Sequence, residues 1–105
     1  MKGGVRMKLG EEEIGEFLSK TDGWKRDDER WISRKYRFSK FLDGIAFVNQ
    51  VAEIADRMNH HPMIAIDYRL ITIRLSSWNA GGLTVQDFEG ASAYNQAYEL
   101  IAKKP

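Results

Sequence analysis

Residues 40–63, KFLDGIAFVNQVAEIADRMNHHPM, decide the fold. The spacing predicts a helix from Lys40 to about Asn59, with Ser39 as its N-cap. Phe41, Ile45, Val48, Ala52 and Ala55 make one apolar stripe, and Phe47, Val51, Ile54 and Met58 make a neighbouring one. At 100° per residue the two together cover about half the circumference. One stripe is enough to cover a sheet, so the surplus calls for a second apolar contact, either another helix or another subunit. Pro62 closes the helix and biases His61 toward an extended conformation.

Downstream, Met63 to Tyr68 and Leu70 to Ser76 read as two strands, the second alternating Ile71, Ile73 and Leu75 with Thr72, Arg74 and Ser76. Asn79-Ala80-Gly81-Gly82 is a loop, and Thr84 caps a last helix whose Phe88, Ala91, Tyr94, Tyr98 and Ile101 recur at spacings of three and four. Upstream, Trp24 to Arg26 and Trp31 to Phe38 read as two short strands about the polar turn Asp27-Asp28-Glu29-Arg30. They follow an acidic-ended helix from Glu11 to Ser19. The order α-β-β-α-β-β-α predicts an α+β fold, a four-stranded antiparallel sheet with three helices on one face. Residues 1–8 are expected to be a flexible tail and 9–105 a single domain.

Composition narrows the function. The chain has 105 residues and a formal charge of +1, 16 Lys and Arg against 15 Asp and Glu. That balance gives no reason to expect nucleic acid or an anionic membrane as partner. The basic residues between Lys25 and Lys40 are interleaved with acids at strand spacing and read as a solvated sheet face. No apolar run is long enough to span a bilayer, and a cytoplasmic location is expected. The absence of cysteine excludes disulfide scaffolds, thiol nucleophiles and iron–sulfur clusters.

The two histidines, His60 and His61, are adjacent at the helix-to-strand junction, where side chains leave a rigid support and where proton transfer near neutrality is within reach. A plain helix C-terminus that welcomes positive charge is the alternative. Asp56, four residues before His60, would share its helical face and orient its imidazole, or form an ordinary surface pair. Asp87 stands three residues after Thr84, as the acid of a capping box or as a group that binds a ligand N–H or a histidine. Trp78 either stacks on a flat heterocycle or fills core. No metal is expected, because adjacent histidines diverge and a His-His pair at i, i+4 is missing. No phosphate loop or serine elbow is present.

Taken in order, Asp56, His60-His61-Pro62, Tyr68, Trp78 and Asp87 resemble the core pattern of the pterin-4a-carbinolamine dehydratases. Phe47 to Ala52, Gly81 to Thr84 and Gly23-Trp24 are similar as well, so that the resemblance runs from about Leu9 to Ile101. It implies a dimer or tetramer and the dehydration of 4a-hydroxytetrahydropterin to quinonoid dihydropterin, without cofactor or metal. His60, His61 and Asp87 would be catalytic, while Asp56, Pro62, Tyr68 and Trp78 would bind substrate. His61 would act at the hydroxyl, and His60 would position the pterin or share proton transfer. Better-known members carry a third histidine where this chain has Trp78. Animal members also serve as dimerisation cofactors of a homeodomain transcription factor, so the alternative is a non-catalytic pterin-binding or dimerisation module.

Overall fold

A computed structural model describes residues 7–103. Three helices, α1 (Glu11–Ser19), α2 (Phe41–Met58) and α3 (Val85–Ala102), alternate with strands β1 (Lys25–Arg26), β2 (Ile32–Arg37), β3 (Met63–Asp67) and β4 (Leu70–Leu75). The strands form one antiparallel sheet in the order β1-β2-β4-β3, with three helices in the expected α+β arrangement. Of the expected tail, residues 1–6 lie outside the described region and Met7 and Lys8 are exposed; Leu9, the first residue assigned to the domain, is buried and donates its N–H to the Leu83 carbonyl.

Register follows from the alternation in β2 and β4. Ile32 pairs with Leu75, and Tyr36 with Ile71, which puts all four side chains on the helix-facing side with Ile73. Phe47, Val51 and Ile54 of α2 and Phe88, Ala91 and Tyr94 of α3 close over them. The other sheet face carries Lys35 and Arg37, exposed as the charge pattern requires.

Two expectations about α2 need correction. Ser39 is not its N-cap: the helix begins one residue later, Lys40 takes the cap position without a side-chain bond, and the Ser39 carbonyl accepts from Arg69. Asn59 is not helical either. It adopts the left-handed conformation at φ 53, which asparagine tolerates, and so ends the helix. Of the two stripes, the one through Phe47, Val51 and Ile54 is buried. The other is left partly open, with Phe41 and Ala52 exposed.

Away from the sheet centre, Asn95 on α3 accepts from Trp24, Arg34 and Tyr36 and donates to the Asp22 carbonyl, tying the Thr21–Trp24 turn to the last helix. Gly23 in that turn has φ 80, and a Cβ there would overlap the Arg34 side chain, which Asn95 and the Asp22 carbonyl hold in place. Gly23→Ala is therefore expected to cost about 1–3 kcal/mol. Equilibrium denaturation checks this; a loss below about 0.5 kcal/mol would mean that Arg34 gives way freely.

Candidate active site

The left-handed Asn59 decides the site. By ending α2 it redirects the next two residues, so His60 and His61 leave in different directions. His60 turns inward: its side chain is 12% exposed, and Nε2 lies 2.7 Å from Oδ1 of Asp87, which is fully buried. His61 turns outward at 58% exposure, with Nε2 2.9 Å from Oδ1 of Asp56. Asp56 thus serves His61 and not His60. The expected i, i+4 pair is replaced because His60 is no longer on the helix.

Asp87 does both things its position allowed. Its Oδ2 accepts from the Thr84 N–H at 2.9 Å and from the Ser77 hydroxyl at 2.7 Å, completing the capping box of α3. Its Oδ1 is left for His60. The donors run in one direction: Gln86 N–H donates to the Thr84 hydroxyl, which lies 2.8 Å from the Ser77 hydroxyl, which donates to Asp87. A carboxylate with every donor aimed at it accepts from His60 as well, so Nε2 carries a hydrogen and Nδ1 is the ring nitrogen left to face a ligand. Gln86 also binds the Met58 carbonyl through its side chain, fastening the end of α2 to the start of α3. Behind Asp87, burial pushes the Tyr94 phenol up to about 12, and the negative charge of Asp87 adds to the shift.

Trp78 follows Ser77 in a single turn of 3-10 helix, Trp78–Ala80, that leaves the sheet and returns at Gly82, which pairs with Ser77. The ring is 78% exposed, which removes the core-filling alternative. Pro62 is half-buried between His61 and β3. Tyr68 is elsewhere: it occupies the β3–β4 turn at φ 54, with its ring 6.2 Å from Phe41 at the start of α2. Within one chain it does not join the histidines. Ser77 had no place in the expectations, yet it anchors the buried carboxylate. Its signal was a second consecutive serine at the end of an alternating strand, just before an aromatic residue.

By its chemistry the arrangement falls in the class that can exchange protons: two imidazoles, each held by its own carboxylate, on an α+β sheet layer. The comparisons give that class its family. The family model for pterin 4 alpha carbinolamine dehydratase matches residues 7–97. A candidate pterin-4-alpha-carbinolamine dehydratase of Picosynechococcus sp. is 38% identical over 85% of this chain and 96% of its own. One from Sulfolobus acidocaldarius is 34% identical over 86% and 98%. The crystal structure of a transcriptional coactivator/pterin dehydratase from Brucella melitensis superposes with a TM-score of 0.83 at 30% identity, over 87% of this chain and 98% of that one. A pterin dehydratase-like protein described as a RuBisCO assembly factor of the alpha-carboxysome, at TM-score 0.54 and 16% identity, shares the fold alone. The chain belongs to the pterin-4-alpha-carbinolamine dehydratase family, a family of hydro-lyases.

Proposed function

We propose that this protein dehydrates 4a-hydroxytetrahydropterin to quinonoid dihydropterin. The observation that carries the reading is the pair of separately supported imidazoles. The reaction breaks the C4a–O bond, releases the hydroxyl as water and removes the proton from N5, with no change of oxidation state. It needs one proton delivered and one taken, which two imidazoles supply. His61 serves the hydroxyl. With Nε2 on Asp56, its Nδ1 gives up a proton to the departing oxygen and regains one from the solvent that its exposure admits. His60, fixed by Asp87, positions the pterin through Nδ1 and shares in taking the N5 proton. Pro62 holds the backbone that separates the two rings.

Trp78 has no proton to exchange near neutral pH, so its part is to stack on the flat bicycle. Trp78→Ala is expected to raise KM about 10-fold with kcat within about twofold, since removing ground-state binding leaves the chemical step alone. A collapse of kcat at unchanged KM would contradict that part. The whole reading is tested by loss of freshly generated 4a-hydroxytetrahydropterin, which must outrun spontaneous dehydration. A cytoplasmic location goes with recycling of a reduced soluble cofactor; no described helix is long and apolar enough to cross a membrane.

The working form is a homo-oligomer. Met63, Ile64 and Ile66 on β3 and Phe41 and Leu42 on α2 are all exposed in the single chain, more apolar surface in one region than scattered surface residues present.

A further inference from the structure

We infer that the sheet face turned away from the helices binds single-stranded nucleic acid, independently of the histidine site. The charges of the fold are sorted by layer. The three helices carry ten acidic residues and one base, Arg57, whereas the four strands carry six bases and one acid, Asp67. The formal charge of +1 therefore conceals an acidic layer lying on a basic one. A polyanion responds to the face it meets, not to the total.

Two of the strand bases are engaged on the helix side, Arg26 with Glu11 and Arg34 with Asn95. The other four, Lys25, Lys35, Arg37 and Arg74, lie on the opposite face. Lys25 and Arg74 flank Ser33 from the two neighbouring strands, and by alternation Trp31, Ser33, Lys35 and Arg37 form one row along β2. Lys25, Lys35 and Arg37 are exposed and make no ion pair among the described residues. They mark three levels along the strand direction, about 6.7 Å apart. That step is about twice the 3.4 Å between successive phosphates of a stacked strand. The side chains beside the row, Ser33, Thr72 and Ala65, are small, so an extended chain can lie flat on this face.

The aromatic end of the row supplies what a plain cationic surface lacks. Trp31 is half-buried, and the Arg74 guanidinium stands 4.6 Å from its ring centroid. Arg74 is held there by Asp27, which accepts from its Nε at 2.9 Å and from the Ser33 hydroxyl at 2.7 Å. A fixed planar cation on an indole is a platform on which a base can stack, next to a track for phosphates. An acidic polypeptide would use the track but not the platform. An anionic membrane would require apolar anchors, and Met63 is the one large apolar side chain exposed on this face of the strands. Asp28 and Glu29 in the β1–β2 turn and Asp67 at the far corner bound the basic surface.

Fluorescence anisotropy of a labelled twelve-residue oligothymidylate tests the site. Binding is expected at 50 mM salt, with log K falling against log salt at a slope of about −2, three free cations at 0.7 each. The double variant Lys35→Ala/Arg37→Ala should bring the slope to about −0.7 and weaken binding roughly 60-fold at that salt, with dehydration unchanged. Trp31→Ala should weaken binding at least about fivefold at an unchanged slope. No binding at 50 mM salt, or binding that the double variant leaves intact, overturns the site. An unaltered affinity in Trp31→Ala overturns the stacking platform. Polyglutamate or phosphatidylserine vesicles that displace the oligonucleotide as well as unlabelled oligothymidylate does, charge for charge, would put an acidic protein or a membrane in its place. These readouts stand whether or not the protein accelerates dehydration.

Discussion

Asp87→Asn is expected to lower kcat/KM at least about 100-fold and stability by about 1–3 kcal/mol. The native carboxylate accepts on both sides: from Ser77 and the Thr84 N–H through Oδ2, and from His60 through Oδ1. An asparagine of the same shape has one accepting oxygen and one donating amide. If the oxygen keeps the capping box, the amide faces His60 and forces the hydrogen onto Nδ1. The imidazole is then held in the tautomer that cannot accept at Nδ1. If the amide turns the other way, it meets the Ser77 and Thr84 donors instead. Asp87→Ala removes every acceptor at once and should cost about 3–5 kcal/mol, since the Ser77, Thr84 and His60 donors are all left unpaired and each buried orphan costs about 1–3 kcal/mol. Kinetics and thermal unfolding measured on the same preparation check both effects; an Asp87→Asn enzyme within threefold of wild type would show that the His60 tautomer does not matter.

The second large effect separates the two histidines. His61→Ala is expected to lower kcat by about 100- to 1000-fold with little change in unfolding temperature, because its side chain is mostly in solvent and its Asp56 partner is 84% exposed. That exposure also leaves room for added imidazole to restore part of the rate. His60→Ala behaves differently. It strips the buried Asp87 of a hydrogen-bond partner, so it should lower stability by about 1–3 kcal/mol and raise KM more than it lowers kcat. Equal loss of kcat in the two variants, with equal response to imidazole, would defeat the division of roles.

Much of this was written in the chain. The alternation of Ile71, Ile73 and Leu75 set β4, the stripe through Phe47, Val51 and Ile54 set the buried side of α2, and Thr84 with Asp87 announced the start of α3. These are local patterns, in which neighbouring side chains share one environment. The pairings within the site were less legible. Asp56 was expected to serve His60, and the outcome turned on the left-handed conformation of Asn59, a single-residue event that helical spacing does not anticipate. The His60–Asp87 bond joins residues 27 apart, so its existence depends on where α3 docks against the end of α2. Ser77 escaped notice because its importance comes from the buried carboxylate that it meets. Trp78 stayed open between core and surface until the 3-10 turn was seen to carry it outward. Tyr68 belongs to the sequence pattern but stands at the other end of its own sheet, a separation that the spacing to Trp78 does not reveal.

The central claim is tested most directly by stopped-flow absorbance of freshly generated 4a-hydroxytetrahydropterin, with wild type set against His61→Ala and the spontaneous reaction. The wild type should accelerate dehydration in proportion to its concentration, and the variant should fall back close to the spontaneous rate. Wild-type traces that overlay the spontaneous reaction, from protein that still binds a dihydropterin, would contradict it and leave a pterin-binding module in place of an enzyme.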